Sequence, residues 1–123
     1  MPKTATIVWL PQPEEHDYPA ARSYLSLLYE EPKADSLVSA LRSAALVTFK
    51  AKDIFRASGL SLLGISNAHV ERDRRKIAES RALSPLLLVR DAERRVVIVA
   101  DGYHRLCAVY SIDENALIPC KIA

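Results

Sequence analysis

The sequence predicts an α+β domain, a small mixed sheet flanked by helices, with a helical hairpin at its N-terminal end. Three observations carry this prediction. Apolar residues recur at helical spacing in the first third of the chain, where Ala21, Tyr24, Leu25 and Leu28 share one face and Leu37, Val38 and Leu41 another. Two β-rich runs, residues 86–90 and 95–100, flank a DAER turn in the last third. Helix and strand patterns succeed one another without repeats, low-complexity tracts or obvious linkers, as in a single mixed core.

Size and composition agree. A chain of 123 residues can bury one real core but not two. Residues 1–123 are therefore expected to form one domain, with 1–45 as an N-terminal strand and hairpin and 46–123 as the main body. Half of the residues are hydrophobic and 26% are charged, the balance of a soluble globular protein. A formal net charge of +2 neither demands nor excludes a polyanionic partner. Cys107 and Cys120 belong to no CxxC or metal-ligand pattern and read as reduced, buried thiols of a cytoplasmic protein. The ATIVWL run is too short for a signal peptide, and no apolar run approaches the ~20 residues that span a bilayer, so no membrane partner is expected.

Each element has its own local reason. Residues 6–10 read as a short strand closed by the PQP segment. Pro19, tolerated in a first turn, marks a helix running from Asp17 to about residue 30, which Pro32 ends. A second helix is expected over 35–45. This first third carries no recognisable chemical motif. Residues 46–50 are β-rich, AKDIF suits a turn of helix, and GLSLLGIS is a glycine-punctuated loop. Ser66 or Asn67 caps a helix through about residue 82. After the hairpin of 86–100 come a glycine turn, a helix to about residue 110 and a last strand over 117–122. Pro119 would be most comfortable if that strand lay at an edge.

The chemistry concentrates in the run VVIVADGYHR. A strand runs into a glycine turn and then into a helix start carrying a histidine and an arginine. Gly102 lets the backbone approach a ligand closely, and the free amides of a new helix favour an anion. His104 adds hydrogen-bond donors, and Arg105 adds a permanent charge suited to phosphate. Upstream, His69, Arg72 and Lys76 fall three and four apart and share one helical face beside the apolar stripe of Val70, Ile77 and Ala78. The plainer reading of that face is a solvated surface with Glu71 paired to Arg75.

From Val47 onward the chain resembles the ParB/sulfiredoxin-like superfamily. The resemblance rests on an amphipathic helix, then SPLLLV leading into a hairpin, then DGYHRLCAVY and, after it, IPCKI. ParB proteins carry a Gly-Glu-Arg-Arg turn and bind CTP, and sulfiredoxins carry Gly-Gly-Cys-His-Arg and use ATP. The free-serine kinases of the same fold carry Asp-Gly-His-His-Arg, the wording nearest to Asp101-Gly102-Tyr103-His104-Arg105. The resemblance implies a nucleoside triphosphate, ATP or CTP, held with Mg²⁺. Gly102, Tyr103, His104 and Arg105 would hold the phosphates, with His69, Arg72 and Lys76 on the helix that faces the nucleotide in sulfiredoxin-like proteins. Asp101 and His104 are the candidate catalytic residues, with Asp101 as a general base or Mg²⁺ ligand. The expected chemistry is phosphoryl transfer or nucleotide hydrolysis on an unidentified small-molecule or protein acceptor.

Departures from the family narrow this. Tyr103 stands where sulfiredoxin has its nucleophilic cysteine, so sulfur chemistry is not expected. The helical DNA-binding region of ParB proteins does not come after IPCKI, which argues against centromere-type clamping. The alternative in another class is a non-catalytic interaction module of this fold, with a plain Asp-Gly turn. Nucleic-acid binding or cleavage through residues 72–76 is the weakest reading, and a homodimer through an edge strand stays open. Asp53, His16, Ser66 and Asn67 have simpler roles as a helix-start carboxylate, a surface side chain and caps, and Trp9, Tyr18 and Tyr24 as packing residues.

Overall fold

Proline placement shapes the first two helices. The structure is a computed structural model and describes residues 6–64 and 66–123. Helix α1 (Asp17–Leu28) carries Pro19 in its first turn, and the chain then extends through Tyr29 and Glu30. Helix α2 (Glu31–Ser43) starts four residues before the expected position because Pro32 opens it. A missing N–H costs nothing in a first turn, so the proline that ends one helix also begins the next.

The remaining elements are β1 (Val47–Lys50), α3 (Ala51–Ser58), α4 (Ala68–Ala78), β2 (Leu86–Asp91), β3 (Val96–Asp101), α5 (Tyr103–Ile112) and β4 (Leu117–Ile122). Asn67 is the cap of α4: its side-chain oxygen accepts from the amides of His69 at 3.0 Å and Val70 at 3.2 Å. Helix α4 stops at Ala78 rather than near residue 82. Ser80 takes a left-handed φ of 57°, and the Arg81 amide bonds back to the Lys76 carbonyl at 2.8 Å. This is the closing pattern usually given to glycine or asparagine, so a serine there leaves no sequence signal.

The sheet is mixed, in the order β1-β4-β2-β3, with β4 and β2 parallel and the other pairs antiparallel. Strand β4 is therefore internal, against the expectation that Pro119 wants an edge. The register explains it. Pairing to β2 begins only at Cys120, so Pro119 faces Thr48 of β1 and has no partner on its other side. A second correction concerns residues 6–10. Only Trp9 pairs, in a single bridge to Leu83 held by two backbone bonds of 2.8 Å. Pro11, Pro13 and Pro85 stand close by and remove the donors that a longer ladder needs.

Helices cover both faces of the sheet. Leu86, Leu88, Val99, Ile118 and Cys120 pack with Ile54, Val70, Ile77 and Leu106 from α3, α4 and α5. Leu87, Val89 and Ala100 pack on the other face with Tyr18, Ala21, Leu25, Val38 and Leu41 of the α1–α2 hairpin. Strand β2 is thus buried on both sides, which is why it reads as the unbroken run LLLV. Each such side chain contributes about 1.5–3 kcal/mol of hydrophobic stabilisation. Lys121, itself buried, ties the hairpin down by donating to the Arg42 carbonyl at the end of α2, 2.9 Å away. Both cysteines are buried and free, and burial pushes the Cys120 thiol up to about 11. Among the described residues no helix is long and apolar enough to cross a membrane.

Candidate functional site

The site begins with a glycine that nothing else could replace. Gly102, between β3 and α5, has φ of 110°. A Cβ there would lie 2.8 Å from Leu86 Cγ and 2.9 Å from Arg105 Nη2. Backbone conformation and space therefore both require glycine. Helix α5 starts with no side-chain cap, and its first backbone bond runs from the Leu106 amide to the Gly102 carbonyl at 2.9 Å. The earlier amides of that first turn have no partner within the helix.

A bulge turns the strand just before this glycine. Leu88 faces Val99 and Leu87 faces Asp101, so Ala100 is left without a partner of its own. Such an extra residue re-aims the side chains after it. Here it brings Asp101 beside Asp17, at the start of α1, as well as beside Arg105. Asp101 Oδ2 accepts from Arg105 Nη2 at 3.0 Å. Burial raises the Asp101 carboxyl above its ordinary value, Arg105 opposes that rise, and Asp17 adds to it. Arg105 also reaches the Pro85 carbonyl at 3.4 Å, and its buried Nε has no partner among the described residues.

These groups open onto a cleft of about 520 Å³. The residues expected to hold the phosphates or to act in catalysis line it: Asp101, Gly102, Tyr103, His104 and Arg105 from the turn, and His69, Arg72 and Lys76 from α4. His69 and His104 are neighbours across the two helices, with ring centroids 4.8 Å apart. Burial, reinforced by His69, lowers the His104 imidazole from its ordinary range, and Asp73 opposes the shift. The Tyr103 hydroxyl donates to the Ser61 carbonyl, so the loop after α3 rests on the turn.

Sequence reading misses the opposite wall. Glu14, His16, Asp17 and Ser84 also line the cleft. Asp17 is almost fully buried, and its Oδ2 accepts from Ser84 Oγ and from the Glu14 amide, the latter at 3.2 Å. His16 stands at the rim, 3.4 Å from Asp17 Oδ1. Asp17 reads from sequence as a helix start, which it is, and no local pattern foretells its second role. Its partners Ser84 and Asp101 are brought to it only by the packing of α1 across β3.

Other candidates fall elsewhere. Asp53 is the acidic residue in the first turn of α3 and lines a separate, mostly apolar cavity of about 360 Å³ with Phe49 and Ile54. Ser66 is exposed, and Asn67 is occupied as a cap. Glu71 meets Arg74 at 3.7 Å rather than Arg75, because the pair forms at three residues instead of four. Trp9 packs on the α3–α5 side and Tyr18 on the hairpin side, while Tyr24 is exposed and is not the packing residue expected.

The cleft is charge-mixed. Arg72, Lys76 and Arg105 face four carboxyls, Glu14, Asp17, Asp73 and Asp101. Among the described residues no three His, Cys, Asp or Glu side chains come together as a metal site. Neither family models nor curated proteins nor solved structures give a match to this chain.

Proposed function

We propose that this chain binds a nucleoside triphosphate, ATP or CTP, with its phosphates against the turn of Asp101 to Arg105. One observation carries the reading. Arg72, Lys76, His69 and His104, from two different helices, converge on the uncapped start of α5 within one cleft. Helix-start amides, a glycine approach and cationic side chains together favour phosphate oxygens over other ligands. The order of elements around the motif, an amphipathic helix, a hairpin, the turn and a final strand, supports a ParB/sulfiredoxin-like origin for the site.

Arg105 contributes differently from a free clamp. It neutralises Asp101 and stiffens the turn, so Arg72 and Lys76 are the side chains left to meet the phosphates. Among the described residues no three His, Cys, Asp or Glu side chains gather as a metal site, so any Mg²⁺ would arrive with the nucleotide. If the bound nucleotide turns over, Asp101 is the proton acceptor nearest the turn, and its raised affinity for a proton suits a general base. Phosphoryl transfer to a hydroxyl acceptor is the reaction class this arrangement supports.

Calorimetric titration with ATP, CTP, GTP and ADP, with and without Mg²⁺, tests the reading. Saturable binding weakened in an R72A/K76A variant is the expected result. A folded protein indifferent to all four at millimolar levels overturns it. One observation favours a second reading, an interaction module: Tyr24, Leu27 and Leu28 form an exposed apolar stripe on α1, with Leu27 at 81% exposure. Nucleotide indifference together with a partner lost on L27E would establish that alternative.

A further inference from the structure

All three histidines of the chain line one cleft, and two of them are paired. His69 is the second residue of α4 and His104 the second of α5. Their rings lie 4.8 Å apart and are tilted by 41°. Two helix starts therefore bring their positive ends to the same spot. A proton on His104 is opposed first by burial, then by His69, with Arg72 and Arg105 adding to the opposition. Asp73 alone among its neighbours favours the charged ring.

The other charged groups facing the pair are Lys76 of α4, Asp101 of β3, and Glu14, His16 and Asp17 of the N-terminal segment; the Tyr103 hydroxyl of α5 also titrates. The acidic wall is already engaged. Arg105 holds Asp101, Ser84 holds Asp17, and His16 sits between Glu14 at 3.2 Å and Asp17 at 3.4 Å. Among the described residues, Asp73 is thus the one acidic group that favours a proton on His104.

We propose that the His69–His104 pair takes up a proton when a phosphate group enters the cleft, so that anion affinity rises as pH falls. This rests on the phosphate-site reading above and adds its regulation. An arriving phosphate supplies the negative charge that the rings lack. Protonation in turn makes every ring nitrogen of the charged imidazole a donor. At alkaline pH the phosphate meets Arg72 and Lys76 with neutral rings. At mildly acid pH it meets an additional cation at the uncapped helix start. Each unit by which the ligand raises the ring pKa is worth about tenfold in affinity across the titration.

The test uses ATP as probe. Its affinity is measured by calorimetry at pH 6 and pH 8, in buffers of differing ionisation enthalpy, for the full chain and for H69N/H104N. Protonation of ATP itself is common to both proteins and cancels in the comparison. Histidine ring nitrogens of the unsubstituted chain are observed by NMR with and without ATP. Three results are expected: the unsubstituted chain takes up more protons on binding than H69N/H104N, its affinity gain toward pH 6 is about tenfold larger, and ATP moves the His104 titration upward. Binding with identical pH dependence in both proteins, or ring titrations that ATP does not move, overturns the proposal and leaves the phosphate site standing. Failure of ATP to bind at either pH overturns both. If H69N/H104N does not fold, the ring titrations of the unsubstituted chain decide alone.

Discussion

The two walls of the cleft are built in different ways. One wall is local: Asp101 through Arg105 are consecutive, and His69, Arg72 and Lys76 repeat along one helix. The other is assembled from distant positions: Asp17 meets Ser84 across 67 residues of chain. The local wall carries the cations and the open helix start, and the assembled wall adds Glu14 and buried Asp17. A nucleotide bound as proposed would have to satisfy both. The contrast teaches that a recognisable motif gives half of a site, and that the half which restrains it is set by packing.

The sharpest way to break the comparison is at its hinge. Gly102→Ala places a Cβ 2.8 Å from Leu86 Cγ at a φ of 110°, which combines backbone strain with overpacking at about 2–5 kcal/mol. Urea denaturation measures this directly, and a loss under about 0.5 kcal/mol, the scale of an ordinary surface substitution, would mean that the turn is not locked as described. Next in size is the local wall's share of binding. Removing Arg72 and Lys76 together should cost about 1.5–3 kcal/mol of nucleotide affinity, read by calorimetry, with little change in stability because neither side chain belongs to the buried core.

A smaller effect separates positioning from charge. Asn67→Ala removes the cap that fixes the start of α4 and with it His69, costing about 1 kcal/mol in a thermal or urea melt. Unchanged stability would show that the cap bonds at 3.0 and 3.2 Å contribute nothing. The smallest effect probes the assembled wall. Asp101 binds its proton more tightly folded than unfolded, so its contribution to stability is present at acid pH and is lost as pH rises through its folded value. Asp17 contributes to that rise. D17N should therefore gain stability relative to the unsubstituted chain as pH rises through the carboxyl range, measured by urea melts from acid to neutral pH. A difference independent of pH would remove Asp17 from the account.

Much of the fold was legible because its signals are local. Apolar spacing marks both hairpin helices, and the two β-rich runs around the DAER turn mark the β2–β3 hairpin. Glycine with its neighbouring histidine and arginine marks the turn. The features that stayed hidden depend on context. Pro119 sits in an internal strand because its neighbour pairs only from Cys120, a matter of register. Ser80 ends α4 in a left-handed conformation that its side chain does not advertise. Ala100 is an unpaired residue within an apparently regular strand, and it re-aims Asp101 toward Asp17. The ion pair that draws Arg105 onto Asp101 depends on that same turn of the strand.

The most direct test of the central claim is an amide NMR titration of the full chain with ATP. Binding at the proposed site shifts the amides of Gly102 to Leu106 and of His69 to Lys76 together, along one saturation curve. Shifts confined to the groove between α2 and the β2–β3 turn, around Lys33 and Arg94, or no shifts at all, would contradict it.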